Sequence, residues 1–231
     1  MQKVLYLLTL LLITVYTYAD VSPVVINRLT NNEGLSNSSV NVIYQDSNNL
    51  MWFGTWDGLN LYNSREFKTF KPNPNVPGNI TNNIIRDIIE TTKGRLWITT
   101  DNGINLYTPE AMRFQSFFYD NKENSIFKER SFLICKNSHN KVIASVYNTG
   151  LYYFDEELSD FILIRNLKET SLKKLFFDKD DNLWLFTDNN SLYRVNLDWS
   201  KNKPDIKDIK PVILSPVSYT HLRAHETCAD L

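Results

Sequence analysis

One short segment recurs along the sequence, and this repeat limits the folds that the chain can adopt. Residues 46–62 read DSNNLMWFGTWDGLNLY, and residues 91–107 read TTKGRLWITTDNGINLY. The tryptophans of the two copies, Trp52 and Trp97, lie 45 residues apart, and the glycines that follow them keep the same spacing. A turn, an aromatic residue and a closing tyrosine that stay in step indicate one structural unit used repeatedly.

Two weaker copies extend the repeat toward the end of the chain. Ile143 replaces the tryptophan in the copy at residues 140–154, and Ser191 replaces the glycine in the copy at residues 178–193. Within the first unit, alternating or β-rich runs separated by polar turns predict four strands. These strands lie at residues 39–44, 50–55, 59–62 and 67–70.

A sheet with apolar residues on both faces must pack against a neighbour on each side. Such sheets at intervals of about 40 to 50 residues are typical of a β-propeller. The fold class is therefore predicted to be all-β, a partial β-propeller of about four blades, each a four-stranded antiparallel meander. We expect Trp52, Trp97 and Trp184 to lie between blades as large apolar side chains rather than to bind a ligand.

The two ends of the chain are predicted to lie outside this fold. Residues 1–19 have one lysine, an apolar run and a small residue at Ala19, as in a secretory signal peptide. The alternative is a membrane anchor, but the apolar run is shorter than the roughly 20 residues needed to span a bilayer. Residues 215–231 break every preceding pattern and resemble translated sequencing-adapter read-through, so His221 and His225 are expected to have no function; the alternative is a histidine-rich metal or catalytic tail.

Composition excludes several functional classes. The formal net charge of -1 provides no global field that would attract a nucleic acid. The two cysteines and three histidines have no metal-ligand spacing, and no glycine motif for a nucleotide phosphate is present. We therefore expect no metal, no cofactor and no nucleic-acid partner, and we expect Cys135 to be a small buried core residue.

The repeat resembles a known family. The strings quoted above, together with EGLSNSSV at residues 33–40 and GNIT at residues 78–81, look like two-component regulator propeller repeats over residues 24–214. The resemblance implies the periplasmic sensor region of a hybrid two-component histidine kinase, which typically recognises an oligosaccharide. It also implies a homodimeric full-length receptor, anchored in the inner membrane by a later segment, with no kinase domain in this chain.

The predicted propeller is incomplete. Residues 24–29 have the alternation of one strand and are expected to complete a last blade whose other strands come later. About four blades cannot close a ring of the seven or so that the family implies. We therefore expect this part of the protein to expose a blade face, and to aggregate or be degraded when it is expressed alone.

A candidate ligand site follows from the order of the strands. In a meander, the turn between the second and third strands and the link to the next blade emerge at the same edge. An aromatic plane and amide or carboxylate groups on this face could hold a sugar. The candidate residues are Trp56, Asp57, Asn102, Tyr147 and Asn148. The alternative is that the Asn and Asp residues serve only the turns.

Two other functions stay open at this point. A secreted propeller scaffold could bind a folded protein through the same face. A propeller glycosidase or lyase would need a pair of carboxylates, such as Asp57 with Glu66 or Asp101 with Glu110. Because the repeat places such carboxylates in turns of most units, no pair is distinguished as catalytic.

Overall fold

Each repeat folds as one antiparallel sheet, with its strands in chain order. The structure is a computed structural model that describes residues 26, 28–118, 132–167, 171–200 and 203–213. Blades 1 and 2 contain the strands β1 Val40–Gln45, β2 Met51–Thr55, β3 Gly58–Tyr62, β4 Phe67–Phe70, β5 Ile85–Glu90, β6 Leu96–Thr100, β7 Gly103–Thr108 and β8 Arg113–Phe117. Blades 3 and 4 contain β9 Phe132–Lys136, β10 Val142–Val146, β11 Gly150–Asp155, β12 Asp160–Asn166, β13 Leu172–Phe177, β14 Leu183–Thr187, β15 Leu192–Asp198 and β16 Asp205–Val212. Two short 3-10 helices precede β1 and β6, at Asn31–Glu33 and Thr92–Gly94.

The all-β architecture and the four-stranded blades confirm the fold predicted from the repeat. In the first blade, the predicted strands and the observed ones differ by no more than one residue at either end. Gly58, the first residue of β3, has a φ of 127°, which favours glycine where the hairpin turn ends. A side chain there would also meet the carbonyl oxygen of Phe70 at 3.0 Å.

Three apolar clusters lie between successive blades. Trp52 is 2% exposed, with its ring 5.2 Å from that of Tyr107 in blade 2. Trp97 is fully buried, with its ring 4.7 Å from that of Phe154 in blade 3. Ile143 takes the same place in blade 3 and packs in the cluster shared with blade 4. These contacts confirm that the repeated large residue fills the space between blades.

Trp184 differs from the other two tryptophans. It is only half-buried and stacks on Phe176 of its own blade, with ring centroids 6.3 Å apart. No described blade covers this face of blade 4, so the prediction that Trp184 lies between blades is not met within the described residues.

The turn between the first two strands holds the tryptophan ring in place. The Asp46 carboxylate accepts the backbone N–H groups of Asn48 and Leu50, and it accepts the Trp52 Nε1–H at 2.8 Å. Asp178 repeats the arrangement in blade 4 and accepts the Trp184 Nε1–H at 2.8 Å. These carboxylates therefore fix each indole through its own blade.

Blade 2 lacks this carboxylate. Thr91 stands at the corresponding position, and the buried Trp97 Nε1–H has no hydrogen-bond acceptor among the described residues. Blade 3 uses Asn137, whose side-chain oxygen accepts the N–H groups of His139 and Lys141. Blade 3 therefore keeps the turn with the asparagine amide, because Ile143 has no indole N–H that needs an acceptor.

A buried asparagine joins the third strand of blades 1 and 2 to the incoming chain. Asn60 accepts the Ser36 N–H at 3.0 Å, and Asn105 accepts the Thr81 N–H at 3.1 Å. Tyrosines, Tyr152 and Tyr193, occupy this position in blades 3 and 4. Among the described residues, this polar contact therefore occurs in the two units in which the repeat is strongest.

The predictions for the ends are tested only in part. The predicted signal peptide and the predicted artefactual tail, at residues 1–19 and 215–231, lie outside the described residues. Of the strand predicted at residues 24–29, the described residues lie outside any strand, and pairing with a later blade stays a prediction. Within the described ranges, no helix has the length and apolar character required to cross a bilayer. Cys135 is buried as predicted, and its burial raises the pKa of the thiol.

Candidate functional site

The turns between the second and third strands lie at one edge of the blades. They contain all five predicted site residues: Trp56, Asp57, Asn102, Tyr147 and Asn148. The link from blade 1 to blade 2 reaches the same edge, because the Gly58 N–H donates to the Asn83 carbonyl at 2.8 Å. This confirms that turns and links share one face, which we call the hairpin face.

A threonine fixes the shape of these turns. In blade 1 the Thr55 hydroxyl donates to the Gly58 carbonyl at 2.9 Å and accepts the Asp57 N–H at 3.1 Å. Thr100 does the same in blade 2 with Gly103 and Asn102. The backbone N–H groups of Asp57 and Asn102 thus donate to the threonine hydroxyls within the turns, and these hydrogen bonds do not involve the Asp57 and Asn102 side chains.

Bulges in three inner strands direct polar residues toward these turns. The register shifts in β1, β5 and β13, which leaves Asn41, Arg86 and Lys173 without a paired residue on the second strand. Bulges re-aim side chains and are frequent next to functional sites. The three residues occupy the same place in their blades, and each contacts the hairpin turn of its own blade.

Trp56 lies in a polar network that spans blades 1 and 2. Its Nε1–H donates to Asn41 Oδ1 at 2.9 Å, and the residue is 49% exposed. The Arg86 guanidinium carbon lies 5.3 Å from the centre of this ring. Arg86 also forms a two-point ion pair with Asp101, with one N···O distance of 2.9 Å. These contacts hold the indole with much of its surface open to solvent.

The other predicted residues have different surroundings. The Asp57 carboxylate accepts the Lys71 ammonium at 2.6 Å, and this hydrogen bond lowers the pKa of Asp57. Asn102 has a buried side-chain oxygen without a hydrogen-bond donor among the described residues. Tyr147 is 40% exposed and, like Asn148, belongs to the blade 3 turn. The structure therefore connects Trp56, through Arg86 and Asp101, with the turn that holds Asn102, whereas Tyr147 and Asn148 lie in the turn of blade 3.

A cleft of about 840 Å³ opens beside this network, at the inner strands of blades 2, 3 and 4. This volume lies within the usual range for small-molecule sites. Phe132 and Ile134 supply buried apolar side chains, and Thr100 lies beside them. The charged side chains of the cleft are Arg86, Asp87, Asp101, Lys173 and Lys174.

Sequence reasoning missed the inner-strand residues of the cleft. The signal was a pair of consecutive charged residues between apolar ones, in IRDI at residues 85–88 and LKKL at residues 172–175. A regular strand would place one residue of each pair on the opposite face of the sheet. Such a break in alternation indicates a bulge, and it could have pointed to these residues.

The cleft is lined by more cationic than anionic side chains, with Arg86, Lys173 and Lys174 against Asp87 and Asp101. Burial raises the pKa of Asp87, and the backbone N–H that Ile88 donates to the Asp87 carboxylate and the charge of Lys174 oppose this effect less strongly. The Lys173 ammonium donates to the neutral Asn190 amide at 3.2 Å. Within the described residues, Lys174 forms no salt bridge, and no group of three or more His, Cys, Asp or Glu side chains could hold a metal ion.

Comparison with known sequences identifies the repeat. The family described as two component regulator propeller matches residues 34–57 and 79–102. These two segments are similar to two-component regulator propeller repeats. The matched segments run from the entry of blades 1 and 2 to the turns between their second and third strands. They include Ser36 and Thr81, the residues that Asn60 and Asn105 bind. No curated protein sequence matched the chain.

Solved structures similar to these propeller repeats share the fold. One is the extracellular domain of a protein described as a hybrid two component system, BT3049 from B. thetaiotaomicron, with 22% identity and a TM-score of 0.62 over 80% of this chain and 27% of that one. The extracellular domain of BT4673, from the same organism, has 19% identity and a TM-score of 0.60 over 78% of this chain and 22% of that one. A streptogramin B lyase has 14% identity and a TM-score of 0.55, over 80% of this chain and 58% of that one. The chain therefore spans about a quarter of the length of the two extracellular domains.

Proposed function

We propose that this chain is part of the ligand-sensing propeller of a two-component signalling receptor and that it lies in the periplasm. The observation that carries the proposal is the match to two-component regulator propeller repeats at residues 34–57 and 79–102. Two similar solved structures are extracellular domains of proteins described as hybrid two component systems, which supports the same role and location. The complete receptor is proposed to be a homodimer anchored in the inner membrane.

The proposed ligand is an oligosaccharide bound on the hairpin face. Trp56 offers an exposed aromatic plane that the Asn41 hydrogen bond and the Arg86 contact hold in position. A pyranose ring packs well against such a plane, and nearby amides and carboxylates bind vicinal hydroxyls. Tyr147 provides a second exposed aromatic side chain on the same face. A pre-formed site of this kind costs little conformational entropy on binding.

A non-catalytic role is favoured by the positions of the carboxylates. Asp57 and Glu66 lie in turns at opposite ends of β3, and Asp101 and Glu110 lie at opposite ends of β7. A strand rises about 3.3 Å per residue, so each pair is separated by roughly 15 Å. Glycosidase pairs lie within about 10 Å of each other. The two pairs considered as acid pairs therefore cannot act together on one glycosidic bond.

The proposal is tested by screening the purified protein against an oligosaccharide array and by measuring the affinity of any hit by calorimetry. Trp56→Ala should weaken binding by at least about tenfold, as expected for loss of an aromatic stacking partner. Phe176→Ala is the matched control, because it removes an exposed aromatic ring from the open face of blade 4. Equal affinity of the two variants for a hit would contradict the proposed site. Failure to bind any oligosaccharide, with binding to a folded protein instead, would favour a scaffold.

A further inference from the structure

We propose that the cleft beside the hairpin face selects a ligand that carries an anionic group, a carboxylate or a sulfate, and binds it through Lys173 and Lys174. This inference rests on the proposed sensing of an oligosaccharide and specifies its class as an acidic one. The observation that carries it is the bulge in β13, because of which two consecutive lysines both line the same cleft.

The bulge explains how both lysines face the same space. Consecutive residues of a regular strand point to opposite faces of the sheet. In β13 the pairing shifts between Leu172 and Lys174, and Lys173 is the extra residue. Both lysines consequently line the cleft, and the same happens in β5, where Arg86 and Asp87 both line it. The arrangement concentrates charge at the inner edge of the blades.

The charges in the cleft do not balance. Asp101 neutralises Arg86 through a two-point ion pair. Lys173 has only a neutral amide, Asn190, as its hydrogen-bond partner, and Lys174 forms no salt bridge in the described part of the chain. Asp87, the remaining carboxylate of the cleft, is half-buried. Lys173 and Lys174 thus line the cleft with one carboxylate, Asp87, left to offset their two charges.

An anionic sugar fits this arrangement better than a neutral one. The chain as a whole has a formal net charge of -1, so the positive cleft is local and does not reflect a basic protein. A carboxylate or sulfate on the ligand would form charge-assisted hydrogen bonds with the lysines, which are stronger than those made by a hydroxyl. Trp56, at the edge of the same network, would pack against the sugar ring.

The experiment compares three tetrasaccharides by calorimetry with the full-length protein: tetragalacturonate, a sulfated galactan tetramer and neutral galactotetraose. We expect at least one acidic tetramer to bind at least about tenfold more tightly than galactotetraose, and this preference to weaken as salt rises to about 0.15 M. Whichever acidic tetramer binds identifies the source of the charge as carboxylate or sulfate.

Substitutions test whether Lys173 and Lys174 cause the preference for an acidic tetramer. Lys173→Ala with Lys174→Ala should remove it, whereas the control of equal charge, Lys179→Ala with Lys203→Ala, should keep it. All four lysines are exposed, so the folded state should tolerate both changes. Lys174→Glu is the second test and should make the protein prefer the neutral tetramer.

Three results would overturn the inference. The acidic tetramers could bind no better than galactotetraose, they could fail to bind at all, or the preference could survive in the double variant of Lys173 and Lys174. Binding of galactotetraose that depends on Trp56, without any acidic preference, would leave the proposed oligosaccharide sensor intact. If no tetrasaccharide binds, the array described above decides the proposed function separately.

Discussion

Trp52 in blade 1 and Trp184 in blade 4 occupy the same place in the repeat, yet only Trp52 is buried. Both donate Nε1–H to a carboxylate at 2.8 Å, through Asp46 and Asp178 respectively. Trp52 is 2% exposed because blade 2 covers it, whereas no described blade covers Trp184. The comparison separates two contributions: the turn orients the indole within its own blade, and the next blade supplies the burial.

The largest expected effect is a difference between Trp52→Ala and Trp184→Ala. Replacing a buried tryptophan leaves a cavity between blades and should cost about 3 to 5 kcal/mol of unfolding free energy. The same change at half-buried Trp184 should cost about 1 kcal/mol, because less apolar surface is lost from the core. Urea unfolding followed by circular dichroism measures both.

The result also tests whether the outer face of blade 4 is open in the protein. Equal losses for the two variants would break the comparison, because they would show that another part of the protein covers Trp184. Phe176→Ala serves as a further check, since it removes the ring that stacks on Trp184. Its cost should follow that of Trp184→Ala.

The second prediction concerns the turn alone. Asp178→Asn removes the acceptor of the Trp184 Nε1–H and should lower the unfolding free energy by about 1 kcal/mol at pH 7. The amide should still support the turn, as Asn137 does in blade 3. The change affects blade 4 only, so it measures the contribution of the turn to stability separately from the burial that a neighbouring blade supplies.

The pH dependence of that loss follows from the carboxylate. Desolvation would raise the pKa of Asp178, but hydrogen bonds from Trp184, Asn182 and Asp180 outweigh it and lower the pKa to about 2. The stabilisation is therefore complete above the unfolded pKa of about 3.9 and is lost as the pH falls toward 2. Wild type and Asp178→Asn should converge over that range in urea unfolding.

A matched control for Asp178→Asn lies in the same turn. Asp180→Asn makes the same change in charge, and the Asp180 carboxylate accepts no hydrogen bond from any described residue. Its unfolding free energy should stay close to that of wild type at every pH. A loss as large as that of Asp178→Asn would assign the effect to net charge.

The sequence allowed the blades to be predicted but not the cleft. Strand ends in blade 1 follow from residues whose local preferences are strong, such as Gly58 with its positive φ. The burial of Trp184 could not be predicted, because it depends on a neighbour and not on the repeat. The position of Lys173 in the cleft was missed, although the two consecutive lysines of the LKKL segment indicate the bulge in β13 that places it there. Trp56 was placed correctly in a turn on the hairpin face, but its contact with Arg86 crosses two blades and has no local signal.

The smallest expected effect is a gain at the one buried tryptophan that lacks the carboxylate. Thr91→Asp places an acceptor where Asp46 and Asp178 stand in their blades, so it should satisfy the Trp97 Nε1–H. An unsatisfied buried donor costs about 1 to 3 kcal/mol of unfolding free energy. Burying the new carboxylate removes it from water, and this desolvation offsets part of the gain. We therefore expect a net gain of up to about 1 kcal/mol in urea unfolding.

The background variant Trp97→Phe decides whether that gain comes from the indole. Phenylalanine has no N–H to donate, so Thr91→Asp should add no stability in this background, and the coupling in the double-mutant cycle should equal the gain. An equal gain in both backgrounds would mean that the aspartate acts on the turn itself, which in blade 2 contains the 3-10 helix Thr92–Gly94. In that case the carboxylates of blades 1 and 4 would stabilise their blades mainly through the backbone, and the indole bond would be secondary at Trp52 and Trp184 alike.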